Sequence, residues 1–155
     1  LDVDLASNEA LIEEVQTDWL RLAAARLKYF AENTPEGEQP EDIARRKRLD
    51  RARAYVNEVL KPHEKLWDKA MLTATLSFLK DELGLKTVYI HDADCGAKIK
   101  NISGRLPPRS LYTKLPKSFC FEPTQDGPQF LADNQSAIYQ IMKRKKTLRF
   151  WRHEF

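Results

Sequence analysis

The chain has 155 residues and a mass of 18.0 kDa, with 42% hydrophobic and 32% charged residues, which suits one globular domain with a modest core and argues against wholesale disorder. No apolar run reaches the roughly 18 residues that a membrane-spanning helix needs. The net charge is +3 and the two cysteines are Cys95 and Cys120, so a disulfide scaffold is excluded and a reducing, cytoplasmic compartment is expected.

The first residue is Leu1 rather than Met, which reads as a fragment or a processed product. Residues 1–10 are polar and acidic and read as a mobile lead-in. Leu11 to Gln16 is short and reads either as a strand or as the first turns of a helix, because periodicity does not separate the two over six residues. From Thr17 to Phe30 the spacing predicts a helix, with Leu20, Ala23, Ala24, Leu27 and Phe30 on one stripe. Asn33 to Pro40 reads as a loop. A second helix is predicted over Glu41 to Leu60, forming a helical hairpin with the first.

Pro62 is placed to begin a third helix, since a first turn tolerates proline. Its apolar residues Leu66, Trp67, Ala70, Met71, Ala74, Leu76, Phe78 and Leu79 cover much of its circumference, which predicts packing on two sides, with Gly84 as the stop. Thr87 to His91 is the clearest strand. Asp92 to Gly96 reads as a turn, Arg109 to Leu115 as a short helix ended by Pro116, and Ser118 to Phe121 as a strand with Cys120 in its core. Asp126-Gly127-Pro128 is a loop, Asp133 is placed to cap a helix over Gln135 to Arg144, and Thr147 to Glu154 is a final strand. Trp19 and Trp67 are expected in the core between helices and sheet. The order of elements is that of an α/β fold with a small mixed sheet and helices on its faces.

Charge is uneven along the chain. Residues 1–42 carry 11 acids against 3 bases, and residues 43–155 carry 23 bases against 12 acids. Two basic clusters stand out. One holds Arg45, Arg46, Lys47, Arg48, Arg51 and Arg53. The other holds Lys143, Arg144, Lys145, Lys146, Arg149 and Arg152, with Phe150, Trp151 and Phe155 interleaved. Such clusters attract phosphate, as nucleic acid or a nucleotide, or an acidic protein, and aromatics beside bases stack nucleobases. A solvated helix face and a half-buried strand would carry the same residues.

After these elements, the run Leu85 to Ile90 behind an amphipathic helix, followed by Arg109-Ser110-Leu111-Tyr112-Thr113-Lys114-Leu115 and Phe119-Cys120-Phe121-Glu122, resembles the C-terminal half of a GNAT N-acetyltransferase. In that family a strand leads into a cofactor-binding helix, a second strand follows, then a short helix with a pattern like "LYekLGF", then an antiparallel pair. "LYTKLPKSFCFE" is similar to that pattern, with Pro116-Lys117-Ser118 inserted. Leu11 to Trp19 matches the strand before the cofactor helix and also resembles the "EIQSDW" motif of domains in large polyvalent proteins of phages and mobile elements. The resemblance spans about Leu11 to Glu122 and makes residues 17–60 an inserted helical hairpin within a single GNAT-like, incomplete domain.

The resemblance implies an acyltransferase that moves an acyl group from acetyl-CoA or another acyl-CoA to an amine. Tyr112 would protonate the leaving thiolate and Glu14 would deprotonate the amine. Strand alternation puts Glu14 and Gln16 on one face and Glu13 on the other. The family's glycine-rich pyrophosphate turn corresponds to Glu58 to Lys65, which has no glycine, and Lys61, His63 and Lys65 would supply positive charge there. The alternative is a non-enzymatic module of phage or mobile-element origin that holds nucleic acid through Arg45, Arg46, Arg48, Lys143, Arg144, Lys145 and Lys146, or an acidic protein.

Other polar residues are weaker signals. His91 and Cys95 do not make a zinc pattern, so no metal is expected. His91, Asp92, Asp94 and Cys95 follow a strand, where α/β folds place ligand crevices. Arg105 and Arg109 flank Pro107-Pro108 and suit a phosphate or carboxylate, although solvation alone would account for them.

Overall fold

A computed structural model describes residues 1–33, 37, 39–102, 108–131 and 137–155. Half of the expected loop at 33–40, the break at Pro107, Arg105 and the cap at Asp133 lie outside the described residues. The chain divides into two compact units, residues 1–15 with 71–155, and residues 16–70.

The first unit is built on a five-stranded mixed sheet. Its strands are β1 (Asp2–Asp4), β2 (Glu9–Ile12), β3 (Thr87–His91), β4 (Glu122–Thr124) and β5 (Phe150–Glu154), in the order β1-β2-β3-β5-β4. β2 and β3 run parallel, with Leu11 opposite Tyr89; every other neighbouring pair is antiparallel. The fold is therefore mixed α/β. Residues 1–10 are not a lead-in. Asp4 accepts hydrogen bonds from the backbone of Ala6 and Ser7 and from the Ser7 hydroxyl. That turn folds β1 back onto β2, which begins at Glu9 and not at Leu11.

Alternation sorts the sheet residues onto two faces. Leu11, Tyr89 and Phe150 share one face and form a buried cluster with Cys95, Tyr139, Met142 and Leu148. The last four come from α4 (Ala93–Ile99), α6 (Ala137–Arg144) and the loop into β5. Ala10, Ile12, Val88, Ile90 and Trp151 are buried on the other face. Each such side chain stabilises the fold by about 1.5–3 kcal/mol relative to exposure when it is large and aliphatic or aromatic.

Several local readings need correction. Asp92 to Gly96 is not a turn. Asp92 caps α4, its carboxylate accepting from the backbone of Asp94 and Cys95. Ser118 to Phe121 is not a strand. Residues Arg109–Tyr112 form a 3-10 turn and Lys114–Ser118 form α5, with Pro116 in its first turn rather than ending it. Behind α5, Cys120 turns left-handed at φ 58° while the N–H groups of Cys120 and Phe121 bond to the carbonyls of Lys117 and Pro116. Cys120 is therefore exposed and not core. Gly84, Asn101 and Lys146 take the same left-handed conformation after their helices. β5 starts at Phe150, three residues later than expected.

The second unit holds α1 (Asp18–Glu32) and α2 (Pro40–Ala54), which pack on each other, and a π-helical turn Tyr55–Leu60 that continues α2. Trp19 is more than half exposed, contrary to its expected place in a core, and its ring meets Tyr55. The third helix begins not at Pro62 but at Trp67. Residues 61–66 form successive turns, and α3 (Trp67–Ser77) runs on into a π-helical turn Phe78–Glu82. Of the apolar set expected for it only Leu79 is buried, joined by Leu72, which that set left out, whereas Leu66, Met71 and Phe78 are exposed, so one stripe is covered and not most of the circumference. Among the described residues no helix is long and apolar enough to cross a membrane.

Candidate functional site

In open α/β sheets ligands sit outside the carboxyl ends of parallel strands. Here those ends belong to β2 and β3. The chain leaves β2 through Glu13, Glu14 and Val15, and leaves β3 at His91, where Asp92 turns it into α4.

Tyr112 closes the 3-10 turn and is buried. Its carbonyl accepts a hydrogen bond from the indole Nε1–H of Trp151 at 2.7 Å. Burial raises the Tyr112 phenol above its usual range, a backbone hydrogen bond at Val15 works against that, and the charge of Glu14 adds to the rise. The phenol therefore lies against the segment that follows β2 and stays protonated at neutral pH. Tyr112 and Glu14, drawn from positions 98 residues apart in the chain, act on one another.

Glu14 is not alone. Lys100, which ends α4, places its ammonium 3.1 Å from Glu14 Oε1 and 3.7 Å from Glu13 Oε2. Nζ also donates to the Glu13 carbonyl at 3.4 Å. One cation meets both carboxylates, so they do not diverge as strand alternation would require; the strand has already ended at Ile12. Lys100 carries no sequence signal. It becomes visible only once 93–99 is a helix that ends beside β2.

His91 is buried under α4, its ring 5.2 Å from that of Phe150, and its Nδ1 has no hydrogen-bond partner among the described residues. Burial, reinforced by the Lys100 charge, pushes its pKa down to about 4, so the imidazole is neutral at neutral pH. Cys95 is a core residue. Burial raises its thiol, and Sγ accepts the Arg149 N–H at 3.4 Å. Arg109 does grip a carboxylate, but it is the chain's own. Its guanidinium bonds both oxygens of Asp94 at 2.7 and 3.0 Å on the surface, and that hydrogen-bonded pairing lowers the Asp94 carboxyl.

Glu9 was missed altogether. It is a buried carboxylate on β2 whose Oε2 accepts the Gln129 N–H at 2.6 Å and whose Oε1 accepts the Tyr89 hydroxyl at 3.5 Å. It ties the start of the 3-10 turn Gln129–Leu131 to the sheet.

The remaining residues that the sequence singles out sit on other elements of the chain. Lys61, His63 and Lys65 belong to the second unit and are exposed in the turns before α3. The backbone N–H groups of Lys61, His63, Glu64 and Leu66 already bond to chain carbonyls. This stretch offers side-chain charge to an anion but no cradle of open amides. Arg45 and Arg48 are exposed and Arg46 is half-buried on α2. Lys143 and Arg144 occupy the last turn of α6, and Lys145 and Lys146 the turn after it; all four are exposed.

No protein-family model, curated protein or solved structure matches the chain.

Proposed function

We propose that the chain is a GNAT-like acyltransferase, or a degenerate relative, that transfers an acyl group from a CoA thioester to an amine. On this reading the sheet is an incomplete GNAT-like one and residues 17–60 are an inserted helical hairpin. The observation that carries it is the Tyr112 phenol held against Val15, within the influence of Glu14, beside the carboxyl ends of the parallel pair β2–β3. The chain order supports it as well. A strand (β2), a helix (α3) and a parallel strand (β3) are followed by short helices and by the antiparallel pair β4–β5, which is the order the resemblance implies.

In the reaction the amine nitrogen attacks the thioester carbonyl carbon. The C–S bond breaks, Tyr112 gives its proton to the departing sulfur, and Glu14 takes the proton from nitrogen. A phenol kept protonated by burial is in the form that such a donor needs. The ammonium of Lys100 occupies Glu14 Oε1, so the incoming amine approaches the other carboxylate oxygen or displaces Lys100.

A thermal-shift titration with acetyl-CoA and longer acyl-CoAs tests the reading. Binding to the native state raises Tm, and the rise grows with the logarithm of ligand excess over Kd. Tyr112→Phe is expected to keep that shift and to lower transfer to a panel of amines by about 10²- to 10⁴-fold. No shift with any CoA thioester would remove the proposal.

A further inference from the structure

The second unit carries a face that the acyl-transfer reading does not use. On α2 and the first residue of the π-helical turn that continues it, Arg48, Arg51 and Tyr55 fall at i, i+3 and i+7, so they form one stripe about 10 Å long. Arg48 and Arg51 are exposed, and neither has an ion pair among the described residues. The acids of α2 do not cancel them. Glu41 and Asp42 sit in its first turn, and Asp50 pairs with Arg53.

At the end of the stripe the Tyr55 ring meets Trp19 of α1, with centroids 6.3 Å apart and planes tilted by 57°. The rings are not stacked, so neither covers the other face to face. Trp19 is 55% exposed and Tyr55 is 40% exposed. Leu22 and Tyr29, also exposed, continue the Trp19 stripe along α1. A merely solvated face has no use for a tryptophan and two tyrosines.

We propose that this face binds single-stranded nucleic acid. Arg48 and Arg51 take successive backbone phosphates and Trp19 and Tyr55 each stack an unpaired base. Arg48 and Arg51 rise about 4.5 Å apart along the helix, within the several ångströms that separate neighbouring phosphates of one strand, and Tyr55 lies about 6 Å further on for a base. Stacking on exposed rings requires open base faces, which a duplex keeps buried in its own stack, and cationic grooves with aromatics are how single strands are held without sequence readout. The site lies wholly within residues 16–70 and does not depend on acyl transfer.

The test uses the full chain and a fluorescein-labelled oligo(dT) of about 12 nucleotides, followed by anisotropy across a salt series. Binding is expected, with a negative log–log salt slope. Arg48→Ala with Arg51→Ala should weaken it and flatten the slope by about 1.4, two single-strand phosphate contacts. Trp19→Leu and Tyr55→Leu should each lower affinity about five- to a hundred-fold with the slope unchanged, and Trp19→Phe should restore it. Circular dichroism keeps misfolding apart from lost contact, and Lys143→Ala with Arg144→Ala should bind as the parent does.

Four results would each overturn the site: no binding at low salt; loss through Lys143 and Arg144 but not Arg48 and Arg51; aromatic variants that bind like the parent; or displacement by poly-glutamate or duplex as readily as by unlabelled oligo(dT).

Discussion

The indole Nε1–H of Trp151 donates to the main-chain carbonyl of Tyr112 at 2.7 Å, and both residues are buried. This bond joins β5 to the 3-10 turn that carries the proposed proton donor, and the Lys117 ammonium of α5 lies over the indole ring at 5.6 Å from its centre. The last strand of the sheet thus sets where Tyr112 sits. Trp151→Phe keeps most of the ring but leaves a buried carbonyl without its donor. The expected cost is about 1–3 kcal/mol, read from urea denaturation. A variant as stable as the parent would show that the bond does not hold this turn.

Gly96 explains how β3 passes so tightly into α4. A Cβ at this position would stand 2.8 Å from the Cβ of His91 and 3.2 Å from its Cγ, closer than packed carbons tolerate. Neither atom is the far end of a flexible chain, so the helix itself must move. Gly96→Ala would normally favour a helix by about 1 kcal/mol; here it should destabilise by about 1–3 kcal/mol. Paired with His91→Gly, which removes both of those atoms, the loss should shrink, and a double-mutant cycle measures that coupling. Additive effects of the two changes would place the clash elsewhere.

Cys120 and Gly84 take the same backbone turn with opposite consequences. Cys120 has φ 58° and Gly84 has φ 65°, with nothing within 4 Å of a Cβ at Gly84. A side chain in the left-handed region costs about 1 kcal/mol. Cys120→Gly should therefore stabilise by about 0.5–1 kcal/mol, and Cys120→Ala should gain nothing. Gly84→Ala should cost about 1 kcal/mol through backbone strain alone. Thermal melts of the three variants decide this.

What was legible in the sequence was what depends on near neighbours. Leu20, Ala23, Leu27 and Phe30 mark α1 by their spacing and are its less exposed stripe, whereas Ala24, expected with them, is exposed. The β-branched and aromatic run at 87–91 is β3. What was hidden depends on partners far away in the chain. Nothing local says that Glu9 begins a fully buried strand, because its carboxylate is satisfied from Gln129, 120 residues on. Lys100 reads as an ordinary surface lysine until α4 brings it to Glu13 and Glu14, 86 residues back from it in the case of Glu14. The aromatic run Phe119-Cys120-Phe121 imitates a strand, and only the hydrogen bonds returning to Pro116 and Lys117 turn it into a helix end. Pro62 likewise resembles a helix start, yet the turns at 61–66 defer α3 to Trp67.

His91 makes stability depend on acid. In the folded chain its pKa is about 4, against 6.5 for a free histidine, with burial as the first cause and the Lys100 ammonium as the second. Below pH 6.5 the unfolded chain binds a proton that the native chain does not. Stability is fully present above that pH, declines as the pH falls from 6.5 towards 4, and flattens below, for a total of about 3 kcal/mol from this group. His91→Leu should lose that component, so the difference between parent and variant melts should change across this window. Lys100→Met removes the second cause, raising the His91 midpoint and shrinking the decline, while it also frees Glu13 and Glu14. Equal acid sensitivity of the parent and His91→Leu between pH 6.5 and 4 would mean that another group governs the loss and that the imidazole is not held neutral by its burial under α4.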